Sequence, residues 1–283
     1  MHIASFVGRA EFVAHAKILH ESLKRIGINA ELTFVIPKER DFNISLLKVN
    51  IEEVNLECES RLFPFYDKIL AAATFEQKET YPFLWVDVDS LFLQGQDFSL
   101  PREGIRVNSV DHCNVGIKVG NDLSPLWQEV LEKVGLPTER YLTHSVLTSV
   151  SKEKIYAYYN MGMVYLNAHK GIFSTCANIL EHMLAEKEIL ELVAHAYVNR
   201  IFLHQMIFSA AVCRYYSKEE MFQLPEGCNV PLHMIANAEE EQKILSAKSI
   251  RYDTYFAKHK VPKFLKAWLG EERPDLAMRW YYE

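Results

Sequence analysis

Asp87 and Asp89 close the run Phe83-Leu84-Trp85-Val86-Asp87-Val88-Asp89. Side chains alternate along an extended strand, so the two carboxylates share one face. Such a pair repels itself and loses solvation at the end of an apolar strand, which is costly unless a cation or a dense set of donors answers it. A hard divalent ion answers it well. Mg2+ or Mn2+ takes oxygen ligands, commonly one or two carboxylates, and completes its shell with water and phosphate oxygens. The triplet therefore reads either as a grip on a metal and a diphosphate or as a cap on the following turn. The apolar strand before it, which a surface turn does not require, favours the grip.

Other residues carry compatible chemistry. Asn160 offers a donor and an acceptor to a polar ligand, and Gly162 allows close approach of a ligand to the backbone; the same pair also suits a strand kinked by a structural glycine. Gln205 can aim an amide oxygen at a developing positive charge, or be a polar residue satisfied within a buried helix. Lys68 can neutralise phosphate or simply be solvated. Cys58, Cys113, Cys176, Cys213 and Cys228 are scattered, with no C-x-x-C pair to suggest zinc or a redox dithiol, and read as buried thiols of a reducing cytosol.

These residues need a scaffold, and the pattern supplies one. Residues 2–7 read as a strand, followed by helical spacing of Phe12, Val13, Ala16, Leu19, Leu23 and Ile26 up to Gly27. Strands follow over 31–36, stopped by Pro37, and over 51–56; 65–75 is helical, and 83–86 is the best strand in the chain. Beyond it, strands are expected over 105–110, 115–119 and 155–166, and helices over 126–134, 172–188 and 197–212, the last apolar almost all round. This alternation predicts an α/β fold with a mostly parallel twisted sheet flanked by helices. We expect one domain over 1–255 and a helical extension over 256–283.

The 283 residues are 49% apolar, enough for a sizeable core, and a net charge of −6 supplies no basic cluster for nucleic acid. No signal segment is expected in the opening residues, and the apolar stretch 201–212 is broken by His204, Gln205 and Ser209, short of the ~20 residues that span a bilayer. A cytoplasmic protein is expected.

The triplet resembles the metal-binding motif of GT-A-fold (Rossmann-like) glycosyltransferases, especially the family of glycogenin and the bacterial lipopolysaccharide galactosyl- and glucosyltransferases. Further segments are similar in order: the opening strand and helix, Phe65-Tyr66-Asp67-Lys68-Ile69, the Asn-x-Gly strand from Tyr159 to Asn167, Leu203-His204-Gln205-Met206, and Gln223-Leu224-Pro225-Glu226-Gly227-Cys228-Asn229. The resemblance implies transfer of a hexose from a nucleotide sugar, a UDP-hexose by analogy, to an acceptor hydroxyl with retention of configuration. The acceptor is a glycan, a lipid-linked sugar or a protein side chain. It places Asp87, Asp89, Asn160 and Gln205 at the reaction centre, and Phe6, Val7, Lys68, Val88, Arg251 and Lys260 against the nucleotide or its phosphates.

Two positions depart from the family. Its metal-ligating histidine is replaced, in Ile250-Arg251-Tyr252-Asp253, by Arg251, and a guanidinium cannot ligate a metal. Either His233 or His259 supplies a ligand from a shifted loop, or two carboxylates, phosphate and water hold the ion while Arg251 pairs with phosphate. The Asp before Gln205 is replaced by His204. The segment 258–269 mixes four lysines with bulky apolar residues; it suits an anionic membrane face, a solvated packed helix, or a reach of Lys260 or Lys263 to the diphosphate. Two rivals stand beside the transferase: a phosphatase of the haloacid dehalogenase class, whose Asp-x-Asp ends the first strand, and an inactive sugar-nucleotide-binding protein.

Overall fold

The computed structural model describes residues 1–28, 30–56, 63, 65–78, 82–194, 196–232, 244 and 246–252. Four parallel strands form its first half: β1 (His2–Phe6), β2 (Glu31–Pro37), β3 (Asn50–Val54) and β4 (Phe83–Val86). Helices α1 (Val13–Arg25) and α2 (Tyr66–Lys78) belong to the crossovers between them. After β5 (Ser90–Phe92) come β6 (Ile105–Ser109), α3 (Pro125–Val134), α4 (Thr138–Leu142), β7 (Ser145–Leu147), β8 (Lys154–Tyr156) and β9 (Tyr159–Leu166). Helices α5 (Ile172–Ala185), α6 (Lys187–Ala194) and α7 (Tyr197–Tyr215) precede the short strands β10 (Met221–Gln223), β11 (Val230–Pro231) and β12 (Ser249–Arg251).

The main sheet has the order β10-β6-β9-β4-β1-β2-β3. Only β9 runs against its neighbours, antiparallel to both β4 and β6. The mostly parallel α/β sheet expected from the sequence is thus the one found. Its central strands β1, β4 and β9 are buried on both faces because helices cover both. On one face Ala4, Phe83, Trp85, Val164 and Leu166 pack with α2, α3, α5 and α7. On the other, Ile3, Leu84, Val86, Met163 and Tyr165 pack with Ala16, Leu19 and Leu23 of α1. A side sheet, β11-β12-β5, lies beside the end of β4.

Several local expectations are corrected. Residues 115–119 are not a strand: the Trp127 indole donates to the Val115 carbonyl (2.7 Å), the Cys113 thiol meets the Gly116 carbonyl (3.0 Å), and only one bridge, Lys118 to Ile155, forms. The stretch 155–166 divides into β8 and β9, which belong to different sheets, because Ala157 N–H bonds to His144 and Tyr158 O accepts from Val110. The helix expected over 172–188 stops at Ala185, where Glu186 turns extended, and α6 starts anew. The extension expected over 256–283, with the segment 258–269, lies outside the described residues.

Candidate active site

The topology brings distant parts of the chain to one sheet edge. Because β1, β4 and β6 are parallel, their C-terminal ends, at Phe6, Val86 and Ser109, share that edge. Antiparallel β9 lies between β4 and β6, so it starts there. In open α/β sheets the carboxyl edge is where ligands bind. Here it gathers Asp87 and Asp89 after β4, Asp111 after β6, and Asn160 at the start of β9.

Asp87 is fixed from three sides. Its N–H donates to the Gly162 carbonyl at 2.7 Å, and its own carbonyl accepts from Ser90 N–H at 3.0 Å, which holds the turn into β5. Its Oδ1 forms an ion pair with Lys68 Nζ at 2.5 Å. Lys68 reaches it from the first turn of α2. Asn160 Oδ1 accepts from Gly162 N–H at 2.7 Å and from Asn229 Nδ2 at 3.4 Å. A Cβ on Gly162 would lie 2.8 Å from both Asn160 Oδ1 and Asp87 Oδ2. The space beside Gly162 is occupied by these two side-chain oxygens, so a larger residue there would have to displace them.

Arg251 enters from β12, whose register against β5 sets Arg251 opposite Ser90, next to Asp89. Tyr252 N–H donates to the Asp89 carbonyl at 3.1 Å, tying the strand to the triplet. The guanidinium is buried and pairs through Nη2 with Asp111 Oδ2. Burial works against its charge, yet Asp111, Asp89 and Asp87 together hold its proton more tightly than usual. Asp111 is anchored in turn by Ser149 Oγ at 2.7 Å and by N–H donation from Val150 and Ser151 to its carbonyl. The edge thus carries three carboxylates with two protein cations among them.

The remaining predicted residues take distinct places. Gln205 is buried in α7, behind the start of β9: Ser209 Oγ accepts from Tyr159 N–H at 2.8 Å and donates to the Gln205 carbonyl at 2.6 Å. Gln205 Oε1 is buried with no hydrogen-bond partner among the described residues. His204 stacks on Phe65 at 4.6 Å, and burial, reinforced by Lys68, pushes its pKa well below the usual range; it is a neutral packing ring at the start of α2. Phe6 is half-buried at the end of β1, whereas Val7 is fully buried, with its N–H bonded to Val35 at 2.9 Å. Val88 is half-buried against the α1-side core. His233, His259 and Lys260 lie outside the described residues.

Asp111 is the residue that sequence reasoning missed. A signal existed: Asp111 is an acid two residues past the end of a strand, and β6 is parallel to β4. Asn229 was read only as part of a segment; the structure sets it on Asn160, at a positive φ of 56° that asparagine tolerates.

The donor set fits a divalent ion held through two carboxylates and ligand phosphates. Among the described residues no group of three His, Cys, Asp or Glu is arranged for a metal, so of these Asp87 and Asp89 would hold an ion together with phosphate oxygens or water. Residues 8–214 match the Rhodobacterales glycosyltransferase domain. The chain belongs to this glycosyltransferase family. No curated protein matches it significantly. Among solved structures it is similar to a galactosyltransferase, LgtC, in complex with donor and acceptor sugar analogues, at 14% identity and a TM-score of 0.48, covering 98% of this chain and 95% of that one. It is similar to mouse xyloside xylosyltransferase 1 (15%, 0.47, covering 90% and 98%) and to the bifunctional glycosyltransferase WbbM (13%, 0.47, covering 89% and 45%). Family membership sets aside the phosphatase alternative, and the glycosyltransferase's acidic triplet follows the fourth strand rather than the first. No helix among the described residues is long and apolar enough to cross a membrane.

Proposed function

We propose that this glycosyltransferase moves a hexose from a nucleoside-diphosphate sugar, a UDP-hexose, to an acceptor hydroxyl, with Mn2+ or Mg2+ bound and with retention of configuration. The observation that carries the reading is the cluster at the sheet edge: Asp87 and Asp89 beside Lys68 and Arg251, with the Asn160 amide packed against Asp87 across Gly162. Carboxylates and cations interleaved in this way suit a ligand that is itself a diphosphate with a counter-cation.

In this reading Asp87 and Asp89 hold the divalent ion, which when bound supplies Lewis-acid stabilisation of the departing diphosphate. Lys68 and Arg251 face the phosphate oxygens and stabilise the charge that grows there as the bond to the sugar lengthens. Phe6, Val7 and Val88 line the nucleotide side. Asn160 binds sugar hydroxyls, and the unpartnered Gln205 amide oxygen faces the positive charge developing at the anomeric carbon while the acceptor hydroxyl attacks. Glycans, lipid-linked sugars and protein side chains are the acceptor classes. A peripheral contact of 258–269 with the inner face of a membrane, and a reach of Lys260 to the diphosphate, belong to the same proposal for a cytoplasmic enzyme.

The test is a panel of nucleotide sugars with and without Mn2+, comparing wild type with Asp89→Asn for nucleotide release. Metal-stimulated release, lost in the variant, is expected. Absence of turnover with every donor, alongside nucleotide binding, leaves a binding protein instead.

A further inference from the structure

Resting on the nucleotide-sugar reading, we infer that Arg251 is a resident cation that keeps a divalent metal off the empty site, so that metal and nucleotide diphosphate bind only together.

Three carboxylates stand at this sheet edge, Asp87 and Asp89 after β4 and Asp111 after β6. Lys68 already pairs with Asp87, and Arg251 pairs with Asp111 from a strand position opposite Ser90, the residue after Asp89. The balance of these five groups is one net negative charge. Hard divalent ions bind in proportion to the negative ligands offered, and one net charge is a weak offer. Nor can the guanidinium withdraw by losing its proton. Its backbone is pinned as well, since β12 is paired with β5 at Ser90 and Tyr252 N–H holds the Asp89 carbonyl. A metal entering alone therefore meets a fixed positive charge next to both of its ligands.

A diphosphate reverses this balance. It brings two or more negative charges, gives the metal phosphate oxygens, and offers the guanidinium an acceptor for N–H groups beyond the one engaged by Asp111 among the described residues. Each ligand then raises the affinity for the other by the same factor, because a coupling free energy is reciprocal. In this chain the third protein contribution to the metal site is a charge that the donor must neutralise.

The test measures Mn2+ binding to the whole protein by electron paramagnetic resonance, with no nucleotide and with saturating UDP, GDP, ADP or dTDP. Wild type is expected to bind Mn2+ at least about tenfold more tightly with its nucleotide, within the roughly 5- to 150-fold span of such couplings. Arg251→Gln, which removes the charge and keeps hydrogen-bonding atoms for Asp111, is expected to bind free Mn2+ about tenfold better than wild type and to lose most of the coupling. Arg251→Lys keeps the charge and should retain weak free binding. Equal Mn2+ affinity of the wild type with and without a nucleotide that binds, or unchanged free affinity in a folded Arg251→Gln protein, overturns the inference alone. If no nucleotide binds under any condition, the donor reading falls and the inference falls with it. Should Arg251→Gln fail to fold, Arg251→Met, which also removes the charge, is read in its place with the same expected and overturning results.

Discussion

Gly162→Ala isolates the packing that joins Asp87 to Asn160. The new methyl would sit 2.8 Å from Asn160 Oδ1 and 2.8 Å from Asp87 Oδ2, roughly 0.6 Å inside the 3.4 Å at which ordinary contact begins. Gly162 has no positive φ, so alanine meets no backbone penalty and the effect is steric. Neither neighbour can yield without loss. Moving Asp87 strains its 2.5 Å ion pair with Lys68, and moving Asn160 strains the bond from Gly162 N–H and the contact with Asn229. Overpacking of this kind costs about 1–3 kcal/mol in buried sites. A carboxylate displaced by half an ångström to one ångström lowers turnover by about tenfold to a hundredfold. Urea denaturation and nucleotide-release kinetics read the two effects separately. Gly95→Ala, where a Cβ meets nothing within 4 Å, is the control and should leave both unchanged. If Gly162→Ala matches wild type in stability and turnover, the close approach of Asp87 and Asn160 is not part of the working site.

Two more expectations follow from the same geometry. Lys68→Met removes the cation paired with Asp87 and should lower kcat/KM for the nucleotide sugar by at least about tenfold, in line with a charge-assisted hydrogen bond lost from the transition state; unchanged kinetics would show that Lys68 is only a solvated neighbour. His15 is buried on α1, stacked on Tyr252 at 5.3 Å, and burial lowers its pKa from 6.5 to about 4. Its folded pKa lies below the unfolded value, so the unfolded chain takes up the proton first, and stability falls as pH drops from 6.5 towards 4 and levels off below. The shift corresponds to a loss of about 3 kcal/mol. Urea unfolding of wild type and His15→Phe across pH 4–7 checks it: the variant should lose less stability over that range, and parallel curves would refute the assignment.

The sequence made part of this site legible for a clear reason. A strand ending in two acids is a local pattern, and the apolar run before Asp87 and Asp89 needs no knowledge of its neighbours. The same holds for the Asn160 and Gly162 spacing, where two residues on one strand face declare their proximity. Local chemistry failed where a contact depended on other parts of the chain. The division of 155–166 into β8 and β9 was invisible because the stretch is mostly apolar throughout, and only the partners of Ala157 and Tyr158, His144 and Val110, separate the two strands. Residues 115–119 carried a strand pattern, but side chains of Trp127 and Cys113 occupy the carbonyls that a sheet would use.

Taken alone, the sequence determined the mostly parallel α/β architecture and the acidic triplet at a strand end, because periodicity, strand composition and residue type are local properties. Tertiary structure decided which charges face one another. Asp87 and Lys68 are 19 positions apart, and Asp111 and Arg251 are 140 apart. What unites them is strand order: β4 and β6 parallel, β9 antiparallel between them, and β12 laid against β5. Charges at one sheet edge interact through space, whatever their separation along the chain, so only the assembled sheet could turn a two-carboxylate motif into a cluster of five opposed charges.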